Sequence, residues 1–515
     1  MLFNSAPFVY VFLPLTFAGF FLIARVSRLW AAAWLTLASI FFYGWWNPKY
    51  VPLLIGSMLF NYLVARLLGA GGKPARRWLL LVGIAGDLLL LGYFKYAHFL
   101  LDTVEHISGV RIQLAEIVLP LGISFFTFTQ IAFLVDTYRG LAREPRFLHY
   151  ALFVTYFPHL IAGPILHHSE MMPQFARTAT YRLSSGNVSV GLTIFVIGLF
   201  KKVILADNIA QFAAPAFNAA AAGHPLSLLE AWGAALAYAL QLYFDFSGYS
   251  DMAIGVSRLF GITLPLNFNS PYKAVNIIDF WRRWHMTLSR FLRDYLYFPL
   301  GGNRRGPARR HLNLLLTMLL GGLWHGAGWT YVIWGGLHGC FLIVNHGWQA
   351  LRGSLGWQPR STWLTRGMSI AVTFTSVLVG WVFFRAASIS AATVMLSGMA
   401  GQNGVVLPAG WKGHLAQPLA DALTRSGVVF DSMIFDGVLQ IAWTAALLAV
   451  AWFWPNTQEL MRMYEPALDT GARPDAPGRM PAWRPTTAWA LAVAILGVAS
   501  LASLDRVTQF LYFQF

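Results

Sequence analysis

Apolar stretches close to the length of a membrane-spanning helix recur from one end of the chain to the other, separated by short polar links. The first, 8–24, has no basic residue before it and no small-residue cleavage site after it, which predicts a retained helix rather than a cleaved signal peptide. Later spans are predicted at 148–165, 188–206, 229–246, 249–264, 312–323, 331–346, 368–384, 439–454 and 487–504. The pattern predicts an all-α polytopic membrane protein, a single integral domain covering 1–515.

Cations sort into alternate links. Arg25 and Arg28 follow the first span, Lys73, Arg76 and Arg77 the third, and Arg139, Arg143 and Arg146 the fifth. The positive-inside rule makes these links cytoplasmic and puts the N-terminus outside. Segment 270–310 breaks the pattern: it is rich in cations and aromatics and carries Pro271, Pro299 and the turn Gly301-Gly302-Asn303. Re-entrant or amphipathic cytoplasmic helices are expected there. Beyond it come an outer loop at 386–436 and a cytoplasmic linker at 456–486 with turn signals at Pro474-Asp475 and Pro477-Gly478. An aromatic tail, 510–515, is then placed on the outer face beside the N-terminus.

Composition agrees, since 57% of residues are hydrophobic and 11% charged, against about 25% charged in soluble domains. The net charge of +16 is what inner-face loops meeting anionic lipid require. No basic and aromatic module separates from the spanning segments, so nucleic acid is not an expected partner. Cys340 is the single cysteine, which excludes an intramolecular disulfide and a cysteine-based metal cluster.

Against this background His325 stands out, an ionisable ring inside the apolar run 313–337. Such groups are costly in a membrane and point to function. A neutral imidazole there can take a proton from a hydroxyl or help expel a thiolate. Gly321, Gly322, Gly326 and Gly328 allow close approach, and Trp324 and Trp329 can wall a narrow passage. Forty residues upstream, His285 lies among Arg282, Arg283, Arg290 and Arg293, a setting for phosphates or a polarised carbonyl, or equally an aromatic-belt helix with an incidental imidazole. His338 is expected to be a packing residue.

Asp245, Tyr249 and Asp251 lie in 241–255, where a helix break is expected; they can orient His285 or an arginine, or form structural ion pairs. Lys273 and Asn303 are candidates for a donor's phosphates. His167 and His168 are adjacent, so their side chains diverge on a helix, and no third ligand has a recognisable spacing; no metal site is expected. A G-x-S-x-G elbow and a Walker A loop are both absent.

The segments 158–164, 241–255, 280–306, 313–335 and 510–515 together resemble the membrane-bound O-acyltransferase family, nearest its bacterial polysaccharide-acetylation branch. The resemblance implies a bundle of about 11 helices around a central tunnel, in the bacterial inner membrane. In it His325 is essential for acyl transfer and His285 sits near a cytoplasmic donor entrance. It implies no permanently bound cofactor, with acetyl-CoA or an acylated, acidic carrier supplying a thioester; from the residues themselves, that donor is expected to dock on a rim of Lys273, Arg282, Arg283, Asn303, Arg304 and Arg305, with Trp324 lining the path. Periplasmic SGNH-type acetyltransferases would decorate the polymer, alginate first and cellulose next. Tyr512, in the tail, matches a candidate acyl relay, and a phenol can accept an acyl group once a base removes its proton. D-alanyl transfer, a donor transporter without bond chemistry and a scaffold for the acetylation machinery are the competing readings; no internal repeat of the transporter kind is present.

Overall fold

The computed structural model describes residues 1–70, 73–110, 114–142, 144, 146–357, 362–434, 437–468, 481–504 and 510–511. Helix α1 (Leu13–Ala24) follows a π-turn at Pro7–Phe12 and pairs with α2 (Arg28–Gly44), whose first turn is capped by Ser27 Oγ accepting from the Trp30 N–H. Next come α3 (Val51–Ala70) and α4 (Lys73–Leu91). A π-turn at Gly92–Tyr96 carries α4 into α5 (Ala97–Ser108), which stops at Gly109 with φ 71°. Helix α6 (Ile123–Tyr138) packs on α3 and α4 and is buried along most of its length.

The predicted span at 148–165 is not a span. It folds as α7 (Phe147–Thr155), a turn at Tyr156 (ψ 108°), and α8 (Phe157–Leu160). Nine residues rise only about 14 Å, under half of a hydrocarbon core of about 30 Å. Pro158 and Pro164 deny the chain a continuing ladder, and the segment ends deep in protein, with the Ile165 N–H donating to Thr287 Oγ1 (3.0 Å). Helix α9 (His168–Ala176) follows.

Helix α10 (Ser185–Phe200), a π-turn at Lys201–Ala206 and α11 (Asp207–Ala221) form one long run beside α12 (Leu228–Leu259). The expected break inside 241–255 is absent, for α12 is continuous over 32 residues, about 48 Å. The irregularity sits in its partner, where the π-turn brings Lys201 and Lys202 to face Asp251 and Asp245 (2.6 and 2.8 Å). With their charges met by another segment, the carboxylates have no reason to unwind their own helix. Glycines make the approach possible: a Cβ on Gly255 would lie 2.6 Å from the Gly191 carbonyl oxygen, and one on Gly248 2.8 Å from that of Gly198.

Segment 270–310 is interrupted, buried mainly in its first half and exposed at 303–308: a 3-10 turn at Pro271–Lys273, α13 (Ile277–Trp281), α14 (Met286–Leu292) and a π-turn at Arg293–Tyr297. Helices α15 (Gly306–His325) and α16 (Trp329–Ser354) then form a hairpin, with Gly335 against the Met318 carbonyl, and α17 (Trp363–Arg385) packs on α16. The expected loop at 386–436 is structured. After α18 (Ile389–Met399), strand β1 (Val405–Pro408) pairs in parallel with β2 (Val428–Asp431), Val405 opposite Val428, across α19 (Gln417–Arg425).

The chain closes with α20 (Val438–Phe453), α21 (Thr457–Leu460) and α22 (Thr487–Leu501). The turn signals at Pro474 and Pro477 lie outside the described residues. Among the described residues, five helical runs are long and apolar enough to cross a membrane: Pro7–Ala24, Pro48–Gly69, Ala75–Ser108, Ser185–Ala221 and Trp363–Arg385.

Candidate active site

His325 is the last residue of α15 and is 4% exposed. Its ring meets Trp334 edge-on (5.1 Å between centroids, 90°), with Trp324 at 5.0 Å and Phe384 at 5.3 Å. Position 325 does not face lipid; it lines a cavity of about 390 Å³ together with Trp45, Trp46, Lys95, Ser124 and Trp324. The π-turn after α4 anchors this end of α15. Tyr96 Oη donates to the Leu323 carbonyl (2.9 Å), and Lys95 Nζ to those of Trp324 (2.5 Å) and His325 (3.3 Å). Those carbonyls have no partner within the helix, so the turn satisfies them and fixes the histidine.

His285 is brought to 6.2 Å from His325, ring centre to ring centre. It is fully buried between Phe246 (4.8 Å) and Phe268 (6.5 Å), and its backbone is left-handed (φ 43°, ψ 52°), a conformation that surrounding packing must enforce in a residue with a Cβ. Asn267 holds it: Nδ1 lies 3.0 Å from Asn267 Oδ1, which also accepts from Thr287 Oγ1 (3.0 Å). An amide oxygen only accepts, so Nδ1 carries the proton and Nε2 the lone pair in the neutral ring. His338 is also buried, between Trp334 (4.9 Å) and Trp281 (5.2 Å).

A second cavity, of about 470 Å³, lies at the cation-rich end, lined by Asp136, Arg139, His167, His168, Asp294 and Tyr295. Tyr295 Oη donates to Asp136 Oδ2 (2.7 Å) and lies 3.2 Å from His167 Nδ1, while His168 Nδ1 faces Asp136 (3.2 Å). Burial, reinforced by Arg290, holds the His167 imidazole below its ordinary pKa. Between the cavities runs a column of rings. Tyr295 contacts Phe291 (5.0 Å), Phe291 stacks on Phe128 (4.2 Å), and Phe128 stacks on Trp324 (5.3 Å) at the wall of the first cavity.

The supporting acids lie in the core. Asp245 takes Lys202 and also accepts from the Leu511 N–H (3.0 Å); Asp251 accepts from Lys201 and Thr457 Oγ1 (both 2.6 Å). Tyr249 is sandwiched between Phe3 (4.8 Å) and Phe510 (4.6 Å). The start of the tail therefore folds into the bundle beside Phe246 and His285 instead of lying at the surface, while Tyr512 is outside the described residues.

The residues of the expected donor rim line neither of these two cavities. Arg283 pairs with Asp279 (2.8 Å), and Lys273 donates to the Trp454 carbonyl (2.9 Å) with Glu459 at 4.0 Å. Arg282, Asn303, Arg304 and Arg305 are exposed. The last two precede α15, roughly 30 Å of helix from His325. Lys95, Lys202 and Asn267 escaped the sequence reading. The first two are intramembrane cations, and the rule that singled out His325 would have found them; Asn267 carries no such signal.

Residues 104–384 match the membrane-bound O-acyltransferase family. The chain is 46% identical over 470 residues to a peptidoglycan O-acetyltransferase of Helicobacter pylori, covering 85% of this chain and 86% of that protein. A probable alginate O-acetylase of Pseudomonas putida is 44% identical over 407 residues, 78% of this chain and 80% of that protein. The chain belongs to the membrane-bound O-acyltransferase family. The match extends to a teichoic acid D-alanyltransferase of Bacillus subtilis, 30% identical over 273 residues, 51% of this chain and 68% of that protein. This multi-pass membrane protein is thus an O-acyltransferase, and two imidazoles, those of His325 and His285, lie side by side in its core.

Proposed function

We propose that the enzyme moves an acetyl group from a cytosolic thioester, acetyl-CoA or an acylated carrier protein, to a hydroxyl on the far side of the bacterial inner membrane, for O-acetylation of a surface glycan. The observation that carries the reading is His325 buried at the wall of a cavity with His285 beside it. By the positive-inside rule the Arg139 end faces the cytoplasm, so the cavity at Tyr295 receives the donor and the one at Trp45 and Trp46 opens outward, with both termini outside.

His325 acts as general base. It takes the proton of the attacking hydroxyl as the new C–O bond forms, and returns it to the departing thiolate when the tetrahedral intermediate collapses and the C–S bond breaks. His285, its Nδ1–H fixed on Asn267, presents Nε2 to hold the hydroxyl or, when protonated, to steady the oxyanion. The acceptor is Tyr512 of the tail or a hydroxyl on a periplasmic partner of the SGNH type; burial of Phe510 and Leu511 against Tyr249 and Asp245 supports delivering the tail to this place. The exposed Arg282, Arg304 and Arg305 with Asn303, and Lys273 and Arg283, are donor-binding candidates as the cytoplasmic rim.

Alginate is the first polymer, with cellulose next; peptidoglycan is a second reading favoured by the 46% identity and 85% coverage of the Helicobacter relative. Ester-bound acetate in the secreted polysaccharide and in the cell wall of a deletion strain separates them. In that strain His325→Ala is expected to give no acetylation at wild-type protein level. Normal acetylation would refute the mechanism, and unaltered acetylation in Tyr512→Phe would remove the relay.

A further inference from the structure

The Lys95 side chain sits inside a helical run long and apolar enough to span a membrane, and it shares a cavity wall with His325. The other lysines buried in the bundle are matched by carboxylates: Lys201 by Asp251 (2.6 Å), Lys202 by Asp207 (2.7 Å) and Asp245 (2.8 Å). Among the described residues Lys95 has no carboxylate at ion-pair distance. Its donors go to neutral oxygens, the Trp324 carbonyl (2.5 Å), the His325 carbonyl (3.3 Å) and Ser124 Oγ (3.4 Å). The negative end of the α15 dipole offsets the charge in part. A full positive charge in so apolar a place is costly unless something anionic joins it. Holding the helix end does not require a charge, because Tyr96 already holds the neighbouring Leu323 carbonyl with a neutral hydroxyl (2.9 Å).

We propose that Lys95 is a further catalytic residue, the cation that stabilises the oxyanion formed when the acyl carbonyl is attacked beside His325. The inference rests on the reading of His325 as the base of the transfer. As the acceptor oxygen bonds to the carbonyl carbon, the C=O π pair moves onto oxygen, and His325 holds the acceptor's proton. The oxyanion sits against the Lys95 ammonium, which no carboxylate of the described residues neutralises in the resting site. When the oxyanion's pair re-forms the carbonyl, the C–S bond breaks, and the thiolate takes the proton from His325. Lys95 neither gives nor receives a proton. A preorganised charge of this kind acts on the transition state and leaves ground-state binding of a neutral thioester nearly unchanged.

The test measures initial rates with radiolabelled acetyl-CoA in membrane vesicles for Lys95→Gln, Lys95→Met and Lys95→Arg, with His325→Ala alongside. Gln keeps hydrogen-bond donors for the carbonyls and Met keeps the bulk, so that a folded neutral variant is available; thermal stability in detergent identifies it. The folded neutral variant is expected to lose kcat by about 100-fold or more, with the donor KM within about twofold, and Lys95→Arg to recover much of the loss. A neutral variant with wild-type kcat, or one altered in KM or thermal stability alone, overturns the role of Lys95 while an inactive His325→Ala leaves the base in place. An active His325→Ala instead overturns the transfer mechanism itself.

Discussion

The ion pair at the core of α12 permits a quantitative test. The Lys202 side chain is 3% exposed and bonded to both Asp207 and Asp245, and the Asp245 side chain is 2% exposed. Lys202→Met leaves two carboxylates facing each other without a cation, a loss expected to cost about 3–5 kcal/mol of stability. Asp245→Leu strands the ammonium with Asp207 alone and frees the Leu511 N–H, at about 2–4 kcal/mol. In the double variant the buried pair is gone as a unit, so its cost should fall below the sum of the two by about 2 kcal/mol or more. Denaturant titration in mixed micelles measures all three. If the single costs add to within about 0.5 kcal/mol, the two charges are not coupled and the account of why α12 stays unbroken is wrong. Acetylation should stay depressed in the double variant even as stability returns, because the tail has lost its anchor on Asp245.

Two further expectations concern other parts of the bundle. Asn267→Leu removes the acceptor of the His285 Nδ1–H and of the Thr287 hydroxyl; it should lower the acetylation rate about 100-fold, and wild-type rates with the protein intact would show that the tautomer of His285 does not matter. Gly255→Ala would place a methyl against the backbone of α10, costing roughly 1–3 kcal/mol in the same mixed-micelle titration; no loss would mean that the contact between α10 and α12 has slack the packing does not suggest.

What could be read from the chain follows the range of the forces involved. His325 drew attention because one ionisable ring in an apolar run is anomalous on local evidence alone, and the structure places it buried at a cavity wall. The all-α polytopic class was legible for the same reason, since span length and composition are local. Asp245 and Asp251 were visible as polar residues, yet their effect on α12 was misjudged because the cations that meet them, Lys201 and Lys202, sit on a different helix. The segment around Tyr156 has the composition of a span, and only its backbone, turned by Tyr156 and ended near Pro164, shows that it dips in and stops. The strands β1 and β2 are four residues each and pair across an intervening helix, too short a pattern to register. The tail was placed by charge at a surface, whereas the ring of Tyr249 and the carboxylate of Asp245 draw its start inward.

The column of four rings between the two cavities has an electrical consequence. In the proposed arrangement, with the two cavities opening to opposite sides and filled with water, most of the transmembrane voltage would drop over the rings of Phe291, Phe128 and Trp324, spaced 4.2 and 5.3 Å apart, rather than over the whole thickness of hydrocarbon. A charge carried past those rings would feel nearly the full field, worth about 2.3 kcal/mol per 100 mV, whereas a neutral acyl group passes indifferent to it. In the transfer proposed above, the acyl group would therefore cross an energised membrane with no charge moving through the column.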